Sequence, residues 1–305
     1  MEDYPRTLME LERRFSTETA CRDYLIRLRW PEGFACPRCG SRTYWLTKRG
    51  LLMCRECEHQ ASVTAGTIFQ DSHKPLMLWF RAIWWVTSQK TGASALGLQR
   101  VLGLGSYRTA WAWLHKLRRA MVRPGRDRLS GRVEVDETYI GGPEPGSRGR
   151  KAGKKALVLI AAEKDGDGIG RIRMGRVPDG SKRSLHGFVT AAVEPGSVVH
   201  TDSWRGYAKL EKKGYRHDVS ELKIRKLGED LLPRVHRVAS LLKRWLLGTH
   251  QGAVRPSHLD YYLDEFTFRF NRRTSRYRGK LFYRLIQQAA AVPPAPYETL
   301  KAPPH

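Results

Sequence analysis

The segment "VEVDETYIGG", residues 133–142, decides which kind of fold the chain adopts. Apolar and polar side chains alternate along it, and β-branched and aromatic residues are frequent, which is the pattern of a β-strand. Val133, Val135 and Tyr139 are the expected inward-facing neighbours of Asp136 on this strand or across it. Asp136 therefore stands out as a candidate functional residue in the middle of a strand.

The sequence after this strand alternates between strand and helix patterns. A continuous apolar run covers 155–166, and alternation returns at 169–177. The remaining patterns predict a helix at about 181–193, a strand at 197–202, a helix from about 204, a strand at 215–220, and helices at about 233–247 and 256–273. Three meandering strands followed by helices and further strands predict an α/β fold with a mixed sheet.

A second aspartate, Asp202, ends the predicted strand "SVVHTD". In open α/β sheets, ligands bind at the carboxyl edge of the strands, and Asp136 can converge with Asp202 there. Two carboxylates in a strongly basic protein indicate a divalent cation that handles phosphate. The alternative is structural: Asp136 pairs with an arginine, and Asp202 caps a helix beginning at Ser203.

Four of the five cysteines form two pairs, "CPRC" at 36–39 and "CREC" at 54–57. Each pair can reach one side of a single ion, so Cys36, Cys39, Cys54 and Cys57 are predicted to hold a structural Zn²⁺ in a zinc ribbon. Disulfides are the alternative, which the tight spacing disfavours. Cys21 is expected to be a buried apolar residue.

Four ordered segments, together with the cysteine pairs, carry a family resemblance: "VEVDETYIGG" (133–142), "HTDSWRGY" (200–207), "SLLKRWLLGTH" (240–250) and "YLDEFTFRFNRR" (262–273). Over nearly the whole chain, they resemble the bacterial insertion-sequence transposases with an N-terminal zinc ribbon and a DDE-type, RNase H-like catalytic core. The resemblance implies a DNA nuclease and strand transferase that acts on transposon ends with Mg²⁺ or Mn²⁺. Position by position, it makes Asp136 and Asp202 the first two catalytic carboxylates and Lys243 the lysine that follows the third position.

The third acidic position is where the sequence departs from the family. Counted back from Lys243, the place of the family's glutamate is taken by His236. The two residues are seven apart, two helical turns, so they share a helix face. Imidazole binds Mn²⁺ better than Mg²⁺ and could instead shuttle a proton. Glu229, Asp230 and Glu137 are rival third carboxylates, and an inactive copy is a further alternative.

The segment 70–125 is predicted to be helical and to contact DNA. "KPLMLWFRAIWWVTSQ" has apolar residues on one helical face, and a glycine turn at 103–105 separates two further helices, as in a helix-turn-helix. The second of these helices would present Arg108, Lys116, Arg118 and Arg119 to DNA. An ordinary helical hairpin is the alternative.

The formal net charge is +25, which indicates a polyanionic partner such as double-stranded DNA. Two further basic clusters are candidate DNA contacts: Arg148, Arg150, Lys151, Lys154, Lys155, and Arg272, Arg273, Arg276, Arg278, Lys280. No apolar run is long enough to span a membrane, so an intracellular protein is expected. The resemblance also implies a homo-oligomer, a dimer or larger, on DNA.

The predicted organisation has five segments. They are an N-terminal helical segment (1–32), a zinc ribbon (33–69), a helical DNA-binding segment (70–125), an RNase H-like catalytic domain (130–290) and a disordered tail (291–305).

Overall fold

The computed structural model describes residues 2–123, 125–142, 155–220, 230–252 and 254–301. The helices are α1 Leu8–Arg14, α2 Glu18–Arg29, α3 Leu76–Ser88, α4 Ala95–Leu102, α5 Tyr107–Ala120, α6 Lys182–Ala192, α7 Pro233–His250, α8 Leu259–Phe270, α9 Arg278–Ala289 and α10 Tyr297–Lys301. The strands are β1 Tyr44–Leu46, β2 Leu52–Cys54, β3 Gln60–Ala61, β4 Arg132–Ile140, β5 Ala156–Asp165, β6 Gly168–Val177, β7 Val198–Asp202 and β8 Arg216–Ser220.

The chain divides into two compact units, one of residues 1–123 with 274–302, and the other covering 124–273. The predicted catalytic segment of 130–290 therefore extends past the unit that carries it. The reason is the packing of α9, whose fully buried Phe282 lies against the rings of Phe80 and Trp84 in the first unit.

The first unit contains the predicted zinc ribbon and helices. Strands β1, β2 and β3 form an antiparallel sheet in that order. Helix α4 ends at Gly103, whose positive φ of 61° lets the chain turn sharply into α5. The predicted pair of helices is therefore present.

The Pro-rich tail differs from its prediction. Residues 297–301 form α10, and Leu300 is fully buried. The prediction of disorder rested on the many prolines and overlooked Leu300, whose burial anchors this short helix. Residues 297–301 are therefore ordered. Residues 302–305 lie outside the described part of the chain.

The second unit is built on a five-stranded sheet with the order β6-β5-β4-β7-β8. Strands β4, β5 and β6 form an antiparallel meander, while β7 and β8 run parallel to β4. This mixed sheet is an RNase H-like α/β core, as predicted. Strand β4 lies at its centre.

Apolar cores cover both faces of this sheet. On one face, α6 packs Leu185 and Val189 against Val133 and Val135 of β4. On the other, α7 and α8 pack against Ile160 and its neighbours on β5. Residues of β4 that point toward α7 can therefore meet that helix.

The helix predicted from about residue 204 is replaced by two short 3₁₀ helices, Arg205–Tyr207 and Leu210–Lys213. The backbone explains the difference, because Lys209 and Gly214 adopt left-handed conformations that a continuous helix cannot contain. Asp202 accepts a hydrogen bond from the Trp204 amide at 3.0 Å, so it caps a turn rather than a helix.

Among the described residues, no helix has the length and hydropathy needed to cross a membrane.

Leu242 and Leu247 on α7 test the packing of the second unit. Leu242 is fully buried in the core beneath α7, whereas Leu247 is 66% exposed. Leu242→Ala should lower the free energy of unfolding by about 2–5 kcal/mol, because it removes buried methyl groups and leaves a cavity. Leu247→Ala is the control and should change it by less than about 0.5 kcal/mol. Urea titration followed by circular dichroism measures both, and equal effects would contradict the packing.

Candidate active site

The alternation of β4 separates its acidic residues onto two faces of the sheet. Asp136 is paired with Ile160 of β5, whose side chain belongs to the core under α7, so Asp136 faces α7. The next residue, Glu137, points the other way and accepts a hydrogen bond from the Tyr207 hydroxyl at 2.9 Å. Glu137 thus points away from His236, although it also lines the cavity between β4 and α7 that His236 lines.

Asp202 ends β7, which runs parallel to β4. The paired residues include Val133 with Val199 and Glu134 with His200. The pairing ends there, but by the two-residue alternation of each strand Asp202, like His200, faces the same side of the sheet as Glu134 and Asp136. Burial raises the pKa of Tyr207 well above its usual value, and the nearby charges of Glu137, Asp136 and Asp202 raise it further. The carboxylates are therefore concentrated at this end of β4 and β7.

Helix α7 presents a second row of candidate residues. Its buried side chains recur every three or four residues: Val235, Val238, Leu242 and Leu246. His236 and Lys243 lie beside that row, and both line a cavity of about 450 Å³ together with Asp136. The predicted two-turn spacing thus brings an imidazole, an amine and a carboxylate to one cavity.

His236 lies between two aspartates. Its Nδ1 is 2.6 Å from Asp230 Oδ1, and its Nε2 is 3.2 Å from Asp136 Oδ2. The side chain is half exposed, so the ring is turned to the cavity and not to the core. Asp230 therefore holds one nitrogen of the ring and leaves the other facing Asp136. This is the arrangement that orients histidines at metal sites.

The two carboxylates change the protonation of His236. The hydrogen bond to Asp136, followed by the bond to and charge of Asp230, raises the pKa of His236 to about 9 against the opposing effect of burial. At neutral pH the ring is then an imidazolium that donates to both aspartates. Because the pKa rises on folding from an unfolded value near 6.5, this pairing stabilises the fold fully below about pH 6.5. That contribution is lost as the pH rises through about 9.

The three predicted metal ligands do not form a compact group. Within the part of the chain that the structure describes, the cysteines 36, 39, 54 and 57 are the one set of three or more donors lying within 4.8 Å of one another. Asp136 and His236 are adjacent, but Asp202 does not complete such a set with them. Glu229, a rival third carboxylate, lies outside the described residues.

Two family models match the chain. One, described as an ISXO2-like transposase domain, matches residues 128–271, and the other, a transposase zinc-ribbon domain, matches residues 16–60. The chain belongs to the insertion-sequence transposases. The matched ranges contain all four cysteines of the ribbon, both aspartates and the His236–Lys243 helix.

Two individual proteins are similar to this transposase-family chain, both at low sequence identity. An uncharacterized protein in transposable element ISH50 of Halobacterium salinarum is 26% identical over 302 residues, which cover 90% of this chain and 98% of the relative. The Mos1 strand transfer complex matches 73% of this chain and 78% of that chain at 12% identity, with a TM-score of 0.26. The latter similarity is too low to support an argument.

The predicted DNA-contacting residues of α5 differ in exposure. Arg108 is exposed, with its guanidinium over the Tyr297 ring, whereas Lys116 and Arg119 are half-buried. Arg118 is 2% exposed, so the prediction that it reaches DNA is wrong. It follows Leu114 and Leu117 on the inward face of the helix, where its guanidinium lies 3.5 Å from the His115 ring.

The other predicted basic clusters are only partly described. Arg148, Arg150, Lys151 and Lys154 lie outside the described residues, and Lys155 begins the described segment before β5. Arg272 and Arg273 stack over Phe268 and Phe270 and donate to backbone carbonyl groups. Arg276, Arg278 and Lys280 are exposed, and Lys280 pairs with Glu2 at 3.6 Å.

The zinc ribbon of this family member brings its four thiols together. The sulfur atoms of Cys36 and Cys57 are 3.6 Å apart, as are those of Cys39 and Cys54. Tetrahedral coordination with Zn–S bonds of about 2.3 Å requires sulfur separations of about 3.8 Å, so the thiols fit a structural Zn²⁺. Backbone amides, that of Cys57 first, lower the pKa of Cys54 to about 6, which favours the thiolate.

Cys54 and Cys21 provide a matched test of the zinc site. Both are fully buried cysteines of the first unit, but Cys21 lies outside the cluster. Wild-type protein and Cys21→Ala should contain about one zinc per chain, whereas Cys54→Ala should contain well under one, because three thiolates leave the shell incomplete. Metal analysis of purified protein measures this, and a zinc-free wild type would refute the site.

Proposed function

We propose that the chain is a DNA transposase that cleaves transposon ends and joins the freed 3′-hydroxyl to target DNA by metal-dependent phosphoryl transfer. The observation that carries this proposal is the single cavity shared by Asp136 on β4 with His236 and Lys243 on α7. Membership of the transposase family supports the same activity.

Asp136 and His236, which are in contact, are the first residues that would hold the catalytic cation, with Asp202, which lies outside their compact pair, as the third. Two carboxylates on one face of the sheet and an imidazole on the facing helix supply oxygen and nitrogen donors suited to Mg²⁺ or Mn²⁺. A bound cation would lower the pKa of a water molecule and polarise the phosphate. Asp230 keeps the imidazole oriented by accepting from Nδ1 at 2.6 Å.

Lys243 would hold the scissile or a flanking phosphate. Its side chain is exposed at the cavity that contains Asp136, two turns along α7 from His236. An ammonium group binds phosphate as a point charge and tolerates several phosphate orientations. Lys243 would therefore position the DNA backbone while the acidic residues face the reacting phosphorus.

Both chemical steps are in-line displacements at phosphorus. In the first, water attacks the phosphodiester at the transposon end, and the bond from phosphorus to the 3′ oxygen breaks, which leaves a 3′-hydroxyl. In the second, this hydroxyl attacks a target phosphodiester and displaces the 3′ oxygen of the target strand. One site can serve both steps because each needs the same placement of nucleophile, phosphorus and leaving group.

DNA would be bound by basic residues of both units. Arg108, Lys116 and Arg119 of α5 are the remaining candidates on the predicted recognition helix. The loop residues Arg148, Arg150, Lys151, Lys154 and Lys155 and the cluster Arg272, Arg273, Arg276, Arg278 and Lys280 would neutralise further phosphates. The active form would be a homo-oligomer, a dimer or larger.

A DNA-binding protein without catalysis is the second candidate. His236 favours it, because a cation stands where the family has a metal-binding carboxylate, with its pKa raised to about 9 by Asp136 and Asp230. Such a protein would bind transposon ends and leave them intact.

A substitution at Asp136 separates the two candidates. Asp136→Asn should lower cleavage of labelled transposon-end duplexes by more than about a hundredfold, because the carboxylate that would hold the cation is lost. Binding of the same duplexes, measured by gel shift, should stay within about twofold. Glu194→Gln is the control, since Glu194 is an exposed carboxylate of the same unit that does not line the cavity. Wild-type protein that binds the ends without cutting them in Mg²⁺ or Mn²⁺ would support the second candidate.

His236 should set the preference for the cation. Wild-type cleavage should be faster in Mn²⁺ than in Mg²⁺, because imidazole suits Mn²⁺ better. His236→Glu restores the family's carboxylate and should shift the ratio of the two rates toward Mg²⁺. His236→Ala should reduce cleavage, though less than Asp136→Asn. An unchanged ratio of the Mn²⁺ and Mg²⁺ rates in His236→Glu, or full activity in His236→Ala, would show that His236 does not bind the catalytic cation.

A further inference from the structure

Glu134 is a buried carboxylate that none of the roles above uses. It lies on β4 two residues before Asp136, so both side chains face α7. Its Oε2 accepts the backbone N–H groups of Arg234 at 2.7 Å and of Val235 at 3.1 Å, and its Oε1 accepts Arg234 Nη1 at 2.9 Å. Glu134 is 3% exposed, so these bonds are shielded from water.

These contacts replace the usual cap of a helix. The first amides of an α-helix lack partners within the helix, and a side chain just before it normally accepts one of them. In α7 that position is Leu232, which offers no such oxygen, and Pro233 follows with no N–H. Glu134 supplies the acceptor from the strand below, and its negative charge suits the positive end of the helix.

Arg234 extends the same anchor to a second strand pair. Its Nε donates to the Gly168 carbonyl at 2.9 Å, at the start of β6. The start of α7 is therefore tied both to β4 and to the turn between β5 and β6. The next residues along the helix are Val235, which Glu134 also holds, and His236.

We propose that Glu134 is a positioning residue for phosphoryl transfer: by fixing where α7 begins on β4, it holds His236 and Lys243 over Asp136. This inference rests on the proposed function. Glu134 touches neither DNA nor a reacting atom, and it acts through the helix. Few residues separate this anchor from the site. On β4, Glu134 lies two residues before Asp136, and on α7, Val235, whose N–H Glu134 accepts, directly precedes His236.

Glu163 provides a matched control within the same sheet. It is also buried, at 9% exposed, and accepts two backbone N–H groups, from Ser130 at 2.9 Å and Arg171 at 3.0 Å. It pairs with the Arg171 guanidinium at 2.6 Å, as Glu134 pairs with Arg234. Its partners lie on β6 and before β4, not on α7. Loss of its charge therefore tests stability alone.

The experiment is a double-mutant cycle between position 134 and position 236. Glutamine at 134 keeps the shape of the side chain but presents an amide N–H₂ to groups that are themselves donors, so it loosens the anchor without opening a cavity. Titration with Mn²⁺ of zinc-loaded full-length protein gives a dissociation constant, and end cleavage in Mn²⁺ gives a rate. Glu134→Gln should weaken Mn²⁺ binding and slow cleavage about tenfold, the size of effect typical of residues that orient metal ligands.

Coupling to His236 distinguishes positioning from stability. In the His236→Ala background, Glu134→Gln should change the Mn²⁺ dissociation constant by less than about twofold, because the ligand that it positions is absent. Glu163→Gln should have the same effect in both backgrounds. Equal effects of Glu134→Gln with and without His236 would overturn the proposal, as would an unchanged Mn²⁺ dissociation constant. A wild type that binds Mn²⁺ but cuts no DNA would refute the proposed activity, while the binding cycle would still decide the role of Glu134.

Discussion

The site depends on the two-residue period of the central strand β4. A strand turns successive side chains to opposite faces, so Glu134 and Asp136 face α7 while Glu137 faces Tyr207. A slip of one residue would push two carboxylates into the core formed by Val189 and its neighbours, and unpaired buried charges cost several kcal/mol each. The packing that fixes the register of β4 therefore also fixes the acidic end of the cavity.

The histidine at position 236 changes the charge balance of that cavity. A third carboxylate would add negative charge beside Asp136 and Asp202, and only a bound cation would offset it. His236 offsets part of that charge itself, since the pairing with Asp136 and Asp230 raises its pKa to about 9. An imidazole ligand must be neutral, so cation binding at this position is linked to the release of the His236 proton. Protonated His236 and a bound cation thus compete for the carboxylate of Asp136.

Local periodicity predicted much of this arrangement from the sequence. The β4 strand, the α7 helix and the shared face of His236 and Lys243 follow from periods of two and 3.6 residues. The role of Asp230 could not be predicted in this way, because it depends on how the chain enters α7 from outside the helix.

Contacts distant in sequence account for the remaining differences. The helix cap of α7 comes from Glu134, a hundred positions earlier. Arg118 is basic but buried, and Leu300 anchors a helix in a Pro-rich tail; both depend on tertiary packing that no local pattern encodes.

Exposure, not charge, therefore decides which arginines and lysines remain available to DNA. Arg108 and Lys280 form exposed ion pairs with Glu298 and Glu2, worth at most about 1 kcal/mol each, which a phosphate can displace. Arg118 is buried, and Arg234 is half-buried and paired with the buried Glu134, so withdrawing either charge from its surroundings costs far more than one phosphate contact returns.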